Sequence, residues 1–425
     1  MVVLRSGERE FRPASEAELA RFVRSFEAGK SGESLMPVGG RTALHYGFER
    51  DYSSVLFLDL TQLDSVVEYP ADDLTITVGA GMRVERLKEL LREHGQRVPV
   101  DIAQAERATV GGAVATNTCG PRRFGYGSLR EWVLGLSAVD GTGRLFKAGG
   151  RVVKNAAGYD LCRLLVGSLG TLAVLTRVTL RLTPIPEWNA VVWCVCDHGF
   201  EQVEAVVAGL MSETRTRPVT LDVLNAKAAA HLAREMQVDL PVERPVVIVG
   251  YEGLEKECQW QVERLQEELK REKVQRLEVL NGEAERLWAA MAEYSTFSDD
   301  PLSFQACVRP SAVVELMEAA TRAGVAVCAH AGNGVLVGHL PEEIIRVEEA
   351  ERLLEPLWQR TLAGGGELVI LQCEPQWKQS LPVWGKPKQT WPLMRQLKQR
   401  FDPHNLLNPG LFVDAANQTD APWAG

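Results

Sequence analysis

Three glycine-bearing segments hold the residues whose types and spacing most clearly suggest chemistry. They are Pro37-Val38-Gly39-Gly40-Arg41-Thr42, Ala108-Thr109-Val110-Gly111-Gly112-Ala113-Val114-Ala115-Thr116-Asn117, and Gly167-Ser168-Leu169-Gly170-Thr171-Leu172. Glycine lets a backbone approach a ligand closely and adopt positive φ, and successive N–H groups in such turns can converge on an anion. Taken singly, a Gly-Gly pair reads as a tight loop. Three in one N-terminal region point to a large, extended, phosphate-bearing ligand. The usual dinucleotide alternative fails, because Gly79-Ala80-Gly81 is followed by Glu85 where a third glycine is required. No P-loop pattern occurs either. Between the second and third segments, Lys154, Asn155 and Tyr159 interrupt an apolar neighbourhood, as ligand contacts or as a packed polar turn.

Farther along, Arg309 precedes Pro310-Ser311, where it could clamp a substrate carboxylate bidentately or form a surface salt bridge. The eight cysteines show no C-x-x-C spacing, so neither zinc nor iron–sulfur ligation is indicated, and Cys194 and Cys196 read as buried thiols on one strand face. A net charge of −9 without a basic run argues against nucleic acid. The N-terminus lacks a charged-then-apolar signal pattern. The most apolar run, Leu161–Leu175, contains Arg163 and several glycines, which predicts no membrane-spanning helix. A cytoplasmic protein is expected, with peripheral contact at the inner face of the membrane left open.

These residues need a scaffold. At 425 residues and 45% apolar composition the chain favours two domains with real cores. Ser15 and Glu18 form a capping box ahead of a helix whose Leu19, Phe22, Val23 and Phe26 share one face, with Gly29 as its stop. Strands are predicted at Leu35–Val38, Val55–Leu60 and Leu74–Val78. A helix over Val84–Glu93 follows, then a hairpin of Val133–Val139 with Leu145–Ala148, and an alternating strand at Leu172–Leu182. Pro184-Ile185-Pro186 reads as a linker. Beyond it strands alternate with helices: Val191–Cys196, Val219–Leu224, Val246–Tyr251, Phe304–Val308, Val325–Ala329, Val335–Leu340 and Leu368–Leu371, with a charged helix over Leu254–Lys273. Trp377, Trp384 and Trp391 punctuate a Pro-rich, basic stretch, as a partner surface or as packing.

The order of the glycine segments resembles the flavoprotein family typified by vanillyl-alcohol oxidase and D-lactate dehydrogenase. Its P-x-G-G-x-T, A-T-[IV]-G-G, Y-G…V-L-G-[LF] and G-S-x-G-T-L motifs recur here in sequence, the third at Tyr126-Gly127 and Val133–Leu136. Phe401-Asp402-Pro403-His404-Asn405-Leu406-Leu407-Asn408-Pro409-Gly410 is similar to the family's C-terminal signature, and Lys154-Asn155-x-x-Gly158-Tyr159-Asp160-Leu161 resembles the flavin subunits of bacterial glycolate oxidases.

The resemblance implies an α+β fold: a PCMH-type FAD-binding domain over residues 1–184, an α/β cap (substrate) domain over 187–400, and a segment 401–413 returning to the first domain. It implies FAD, held by Val38, Gly39, Gly40, Arg41, Thr42, Thr109, Gly111, Gly112, Thr116, Lys154, Asn155, Tyr159, Gly167, Ser168, Gly170, Thr171 and Asn408. The Gly39–Thr42 turn would offer N–H groups to the pyrophosphate, and the N-terminus of a helix starting near Thr109 would add more. Relatives with flavin linked through this loop carry His after the paired glycines. Arg41 stands there, so the FAD is expected to be non-covalent, with His45 structural.

For the substrate side, relatives carry H-x-G-D-G-N-x-H and a later Glu-His pair that bind a divalent metal. Here His330-Ala331-Gly332-Asn333-Gly334-Val335-Leu336-Val337 keeps only the first histidine, and Gly364-Gly365-Gly366-Glu367 occupies the later position. One imidazole without partners does not hold a metal tightly, so no metal is expected. Leu169 also replaces a common Glu. His330 and Arg309 are the expected catalytic residues. The expected function is that of an FAD-binding subunit of a glycolate oxidase-type complex that oxidises glycolate or D-lactate to the 2-oxo acid, acting on substrate itself or as an accessory electron-relay or stabilising subunit. Its partners would be a second flavoprotein and an iron–sulfur subunit. A stand-alone FAD oxidoreductase and a non-catalytic flavin-binding scaffold are the alternatives.

Overall fold

A computed structural model describes residues 9–26, 33–48, 52–118, 120–150, 159–212, 214–237, 239–282, 284–297, 300–386 and 388–412. The chain divides into two compact units: Met1–Thr118 with Ser128–Ile185 and Lys386–Gly425, and Cys119–Gly127 with Pro186–Gly385. The linker prolines fall at this boundary. Two differences from the expected division follow. The return to the first unit begins at Lys386 rather than 401, and Cys119–Gly127 groups with the second unit.

The first unit opens on the helix Glu16–Ser25, whose Ser15 side chain accepts from Glu18 N at 3.2 Å. Glu18 reaches back to Ala14 N (2.8 Å), one residue before the cap itself, and Gly29 lies outside the described residues. The helix buries Leu19, Ala20 and Val23 with Leu35, Leu58, Val139 and Val174 in one core. Each such aliphatic side chain, fully buried, contributes about 1.5–3 kcal/mol. Arg9–Phe11, Val55–Asp59 and Ser34–Val38 form a parallel three-stranded sheet in that order. Val66–Glu68, Thr75–Gly79, Ala173–Arg181, Val133–Asp140 and Leu145–Gly149 form an antiparallel five-stranded sheet. The expected hairpin is its last pair, with Asp140 Oδ1 accepting from Thr142 N at 3.0 Å inside the turn.

The returning chain forms the helix Trp391–Phe401 and then docks by backbone pairing, Leu35 N to Leu406 O (2.8 Å) and Asn408 N to Leu35 O (3.0 Å). Lys398 anchors it. Its buried ammonium donates to Asp402 Oδ2 (2.6 Å), Leu407 O (2.7 Å) and Thr171 O (2.9 Å). Asp402 in turn accepts from Leu406 N and Leu407 N at 2.9 and 2.7 Å, so every polar group of this buried cluster is engaged.

The second unit is an eight-stranded sheet in the order Arg276–Asn281, Trp188–Val195, Val246–Gly253, Thr220–Leu224, Ala326–His330, Val335–His339, Leu302–Cys307, Glu367–Cys373. Every neighbouring pair is antiparallel. The strand–helix alternation is therefore folded as split antiparallel units. Asn225 shows how the centre is registered. Fully buried, it caps the helix Ala226–Met236 through Ala228 N (2.9 Å), accepts from Val327 N (3.0 Å), and donates to Val325 O (2.8 Å) and Thr321 Oγ1 (2.9 Å).

Candidate flavin and substrate sites

In the first unit, a cleft is lined by Val38, Gly39, Gly40, Arg41, Thr42, Thr109, Gly111, Gly112, Thr116, Gly170 and Asn408 from the sequence-derived set. The loops meet because two strands and one short helix deliver them to one place. Ser34–Val38 ends in the first glycine turn, the helix Val110–Thr116 carries the second, and Ala173–Arg181 follows the third.

The glycines earn their place partly by packing loop on loop. A Cβ on Gly40 would stand 1.7 Å from Arg107 O, and one on Gly39 would stand 2.1 Å from Thr109 Oγ1. Gly111 is held against Ala80 in the same way, at 2.7 Å. Donors for an anion come from the first turn: among the described residues, the N–H groups of Gly39, Gly40, Thr42 and Ala43 serve no protein acceptor. Arg41 adopts φ 57°, and its guanidinium pairs with Glu10 (2.8 Å) beside the Phe57 ring.

The helix starting at Val110 does not add donors as expected. Its first N–H groups are consumed, Val110 by Met82 O and Gly111 by Ala80 O (both 2.8 Å), and Gly112 by Thr109 Oγ1 (3.3 Å). Thr116 returns its hydroxyl to Gly112 O at 3.1 Å. This helix therefore shapes the wall of the cleft rather than binding phosphate.

In the third segment, Gly167, Ser168 and Thr171 stand outside the lining and build the turn instead. Gly167 N donates to Val114 O (3.0 Å) and Thr171 Oγ1 to Ser168 O (2.7 Å). Leu169 and Gly170, both at positive φ, line the cleft, and Asn408 Nδ2 fixes the Leu169 carbonyl at 3.0 Å. Tyr159 is 96% exposed and not part of this lining, which leaves it no cleft contact. Lys154 and Asn155 lie outside the described residues. Sequence reasoning missed Tyr46, a phenol in the lining whose pKa burial pushes up to about 12. It also missed Lys398, which reads as one more surface cation of a basic helix.

The second unit carries His330 at the end of its strand. The turn after it, Ala331–Asn333, needs the open space at Gly332, because a Cβ there would lie 2.3 Å from the Phe124 ring. Gly334 follows at φ 75°, packed against Val308 O. His330 Nδ1 lies 2.6 Å from Asp222 Oδ1, and both side chains are buried. Val335 in place of the motif's Asn, and Val337 in place of its second histidine, are buried apolar strand residues. Among the described residues no group of three His, Cys, Asp or Glu side chains is arranged to hold a metal ion.

Arg309 serves the fold. Nε donates to Gly364 O (3.1 Å) and Nη2 to Ala363 O (3.5 Å), the last carbonyls of the helix Val347–Ala363. One edge of the guanidinium is thereby turned to a helix C-terminus, where a cation is favoured. Trp377 and Trp391 are buried, which makes them packing residues rather than a partner surface.

A cleft of free backbone N–H groups between glycine turns, next to a parallel and an antiparallel sheet, defines a nucleotide-cofactor protein outside the Rossmann class. The comparisons agree: residues 8–149 match the FAD binding domain, and residues 185–358 and 384–411 match the C-terminal domain of FAD linked oxidases. The chain belongs to this PCMH-type FAD-linked oxidase family and is an FAD-dependent oxidoreductase. It is 30% identical to a D-2-hydroxyglutarate dehydrogenase of Xanthomonas citri pv. viticola, over 96% of this chain and 89% of the relative. A shorter stretch is 41% identical to glycolate oxidase subunit GlcE of Escherichia coli K12, covering 30% of this chain and 37% of that one. The fold is like that of alkyldihydroxyacetonephosphate synthase, with TM-score 0.62 at 17% identity, over 94% of this chain and 75% of the other.

FAD fits the residues present. Four N–H groups without protein acceptors offer the several donors that a pyrophosphate requires, and no side chain projects from Gly39, Gly40, Gly111 or Gly112 to fill the cleft. Gly39, Gly40, Thr42 and Ala43 would hold the phosphates. Leu169, Gly170 and Tyr46 would wall the remainder. The bound group supplies a two-electron acceptor.

Proposed function

We propose that the chain oxidises a small 2-hydroxy acid, glycolate or D-lactate, to the 2-oxo acid as the FAD-binding subunit of a glycolate oxidase-type complex. The observation that carries this reading is the contrast between the two units. The flavin cleft has its turns and donors in place, while the hydroxy-acid motif retains His330, buried against Asp222, and has Val337 where relatives carry its second histidine. A subunit that binds flavin but shares catalysis with a better-equipped partner fits that contrast, and the local likeness to GlcE supports it. The partners would be a second flavoprotein and an iron–sulfur subunit, since this chain's cysteines lack cluster spacing. Among the described residues no helix is long and apolar enough to cross a membrane.

A second reading, a stand-alone oxidoreductase of another hydroxy acid, is favoured by the near full-length similarity to a D-2-hydroxyglutarate dehydrogenase. Turnover of glycolate, D-lactate and D-2-hydroxyglutarate with an artificial electron acceptor separates the two. The complex reading expects glycolate or D-lactate turnover only when the chain is assembled with a second flavoprotein and an iron–sulfur subunit. Full turnover by the chain alone contradicts it and selects the second reading.

A further inference from the structure

We propose that Asp222 is a positioning residue for His330. It holds the imidazole as the Nδ1–H tautomer, so that Nε2 is a bare acceptor for the hydroxyl proton of a 2-hydroxy acid. The proposal rests on the hydroxy-acid reading above and gives the retained histidine a metal-independent role.

The arrangement is set by strand register. Val223 pairs with Ala329 and Leu224 with Cys328 in an antiparallel ladder. One more step along both strands brings Asp222 opposite His330, and their side chains meet at 2.6 Å. Asn225, three residues on, accepts from Val327 N of the neighbouring strand and donates to Val325 O just before it, which locks that register. Asp222 is fully buried and His330 is 6% exposed.

Packing alone does not explain the pair. Asp222 sits between Leu221 and Val223 on a strand whose five residues are all buried, and an apolar side chain there would avoid the cost of burying a carboxylate. An ionised carboxylate only accepts hydrogen bonds, so with Asp222 ionised the proton in the 2.6 Å contact belongs to Nδ1. The lone pair is then at Nε2. Among the described residues the ring's one hydrogen bond is the one at Nδ1.

A carboxylate-backed imidazole can also present Nε2 to a metal. That use needs further ligands, and Val337, buried and apolar, stands in the place of the motif's second histidine. What remains is proton acceptance. Oxidation of a 2-hydroxy acid sends one proton from the oxygen to Nε2 and one hydride from C2 to FAD, the oxidant, as the C=O double bond forms. The turn behind His330 is held firmly enough to keep the ring in place, with Gly332 against Phe124 and Gly334 O accepting from Val308 N at 2.7 Å.

The test uses the full chain labelled with ¹⁵N-histidine, whose seven histidines give a tractable long-range ¹H–¹⁵N spectrum. His330→Gln assigns the signal. The expected spectrum shows Nδ1 protonated and Nε2 unprotonated at neutral and mildly alkaline pH. Asp222→Asn, nearly isosteric, should lose that preference, and Asp222→Glu should keep it. Unfolding midpoints of the three variants confirm that each is folded. Alongside, flavin reduction by the hydroxy acid in the complex should slow by roughly 10²–10⁴-fold in Asp222→Asn, with little change in KM, the usual range for losing acid–base assistance. A His330 ring protonated at Nε2 in the parent chain overturns the proposal. So does an unchanged tautomer in Asp222→Asn. If the tautomer behaves as expected but no hydroxy acid reduces the flavin, the positioning role stands and the functional reading fails.

Discussion

Replacing Lys398 with methionine tests how the C-terminal signature supports the flavin cleft. Its ammonium is buried and satisfies three acceptors: Asp402 Oδ2, Leu407 O and Thr171 O, at 2.6, 2.7 and 2.9 Å. Methionine keeps most of the aliphatic stem but strands the Asp402 carboxylate, itself only 1% exposed, with two backbone N–H donors and no counter-charge. Breaking a buried pair from one side costs about 3–5 kcal/mol, most of it the penalty of the orphaned charge. A loss of 3 kcal/mol is a change of roughly a hundredfold in an equilibrium constant. The damage should also reach the cleft, because Thr171 closes the turn whose Leu169 carbonyl is fixed by Asn408. Urea unfolding followed by flavin release reports on this unit specifically. The Lys398→Met midpoint should fall steeply, while the double variant Lys398→Met/Asp402→Leu should recover part of the loss, since it leaves no buried charge unpaired. A loss below about 1 kcal/mol in Lys398→Met, the range of an exposed ion pair, would refute the reasoning and show that water reaches the cluster.

Gly40→Ala should weaken FAD binding at least tenfold, because its Cβ would stand 1.7 Å from a backbone carbonyl and must push two cleft loops apart; titration of apo-chain with FAD measures this. Acid precipitation should release all the flavin into the supernatant, since Arg41, held by Glu10, occupies the attachment position; colour retained in the pellet would contradict this. His231 has its pKa lowered from the ordinary 6.5, chiefly by burial, with the opposing pull of Asp300. The unfolded chain therefore binds that proton more tightly, so stability should fall as pH drops through about 6.5 toward the folded-state value and be insensitive to this group above it. His231→Gln should flatten that slope in thermal unfolding across pH. Asn408→Ala should cost about 1 kcal/mol of stability from the lost bond to Leu169 O, and should lower FAD affinity without altering the second unit's unfolding.

Much of this was legible in the sequence where the signal is local. The strand Ala173–Arg181 shows in its alternation, the hairpin in Asp140-Gly141-Thr142-Gly143, and the first helix in its Ser15 cap. Strand direction in the second unit was not legible, because strand–helix alternation is compatible with either sense until the pairings are known. The glycine turns were correctly located but for an incomplete reason. Gly39 and Gly40 make room first for Thr109 and Arg107 and only then for a ligand. Asp222 could not be found by spacing, since 108 residues separate it from His330 and only the register joins them. Lys398 was hidden for a related cause: a buried lysine on a basic helix looks like its solvated neighbours Arg395 and Arg400 until the carbonyls around it are known. Arg309 shows the reverse case, a cation whose sequence setting gives no sign that it also caps a helix C-terminus.

The central claim is that this chain binds FAD and takes part in oxidising a 2-hydroxy acid. An anaerobic visible spectrum of the purified protein, with and without its partners and before and after addition of glycolate or D-lactate, tests it most directly. The account predicts a bound flavin band that bleaches when hydroxy acid is added to the complex. A flavin band in the complex that neither acid bleaches, or a chain that takes up no flavin in either form, would contradict it.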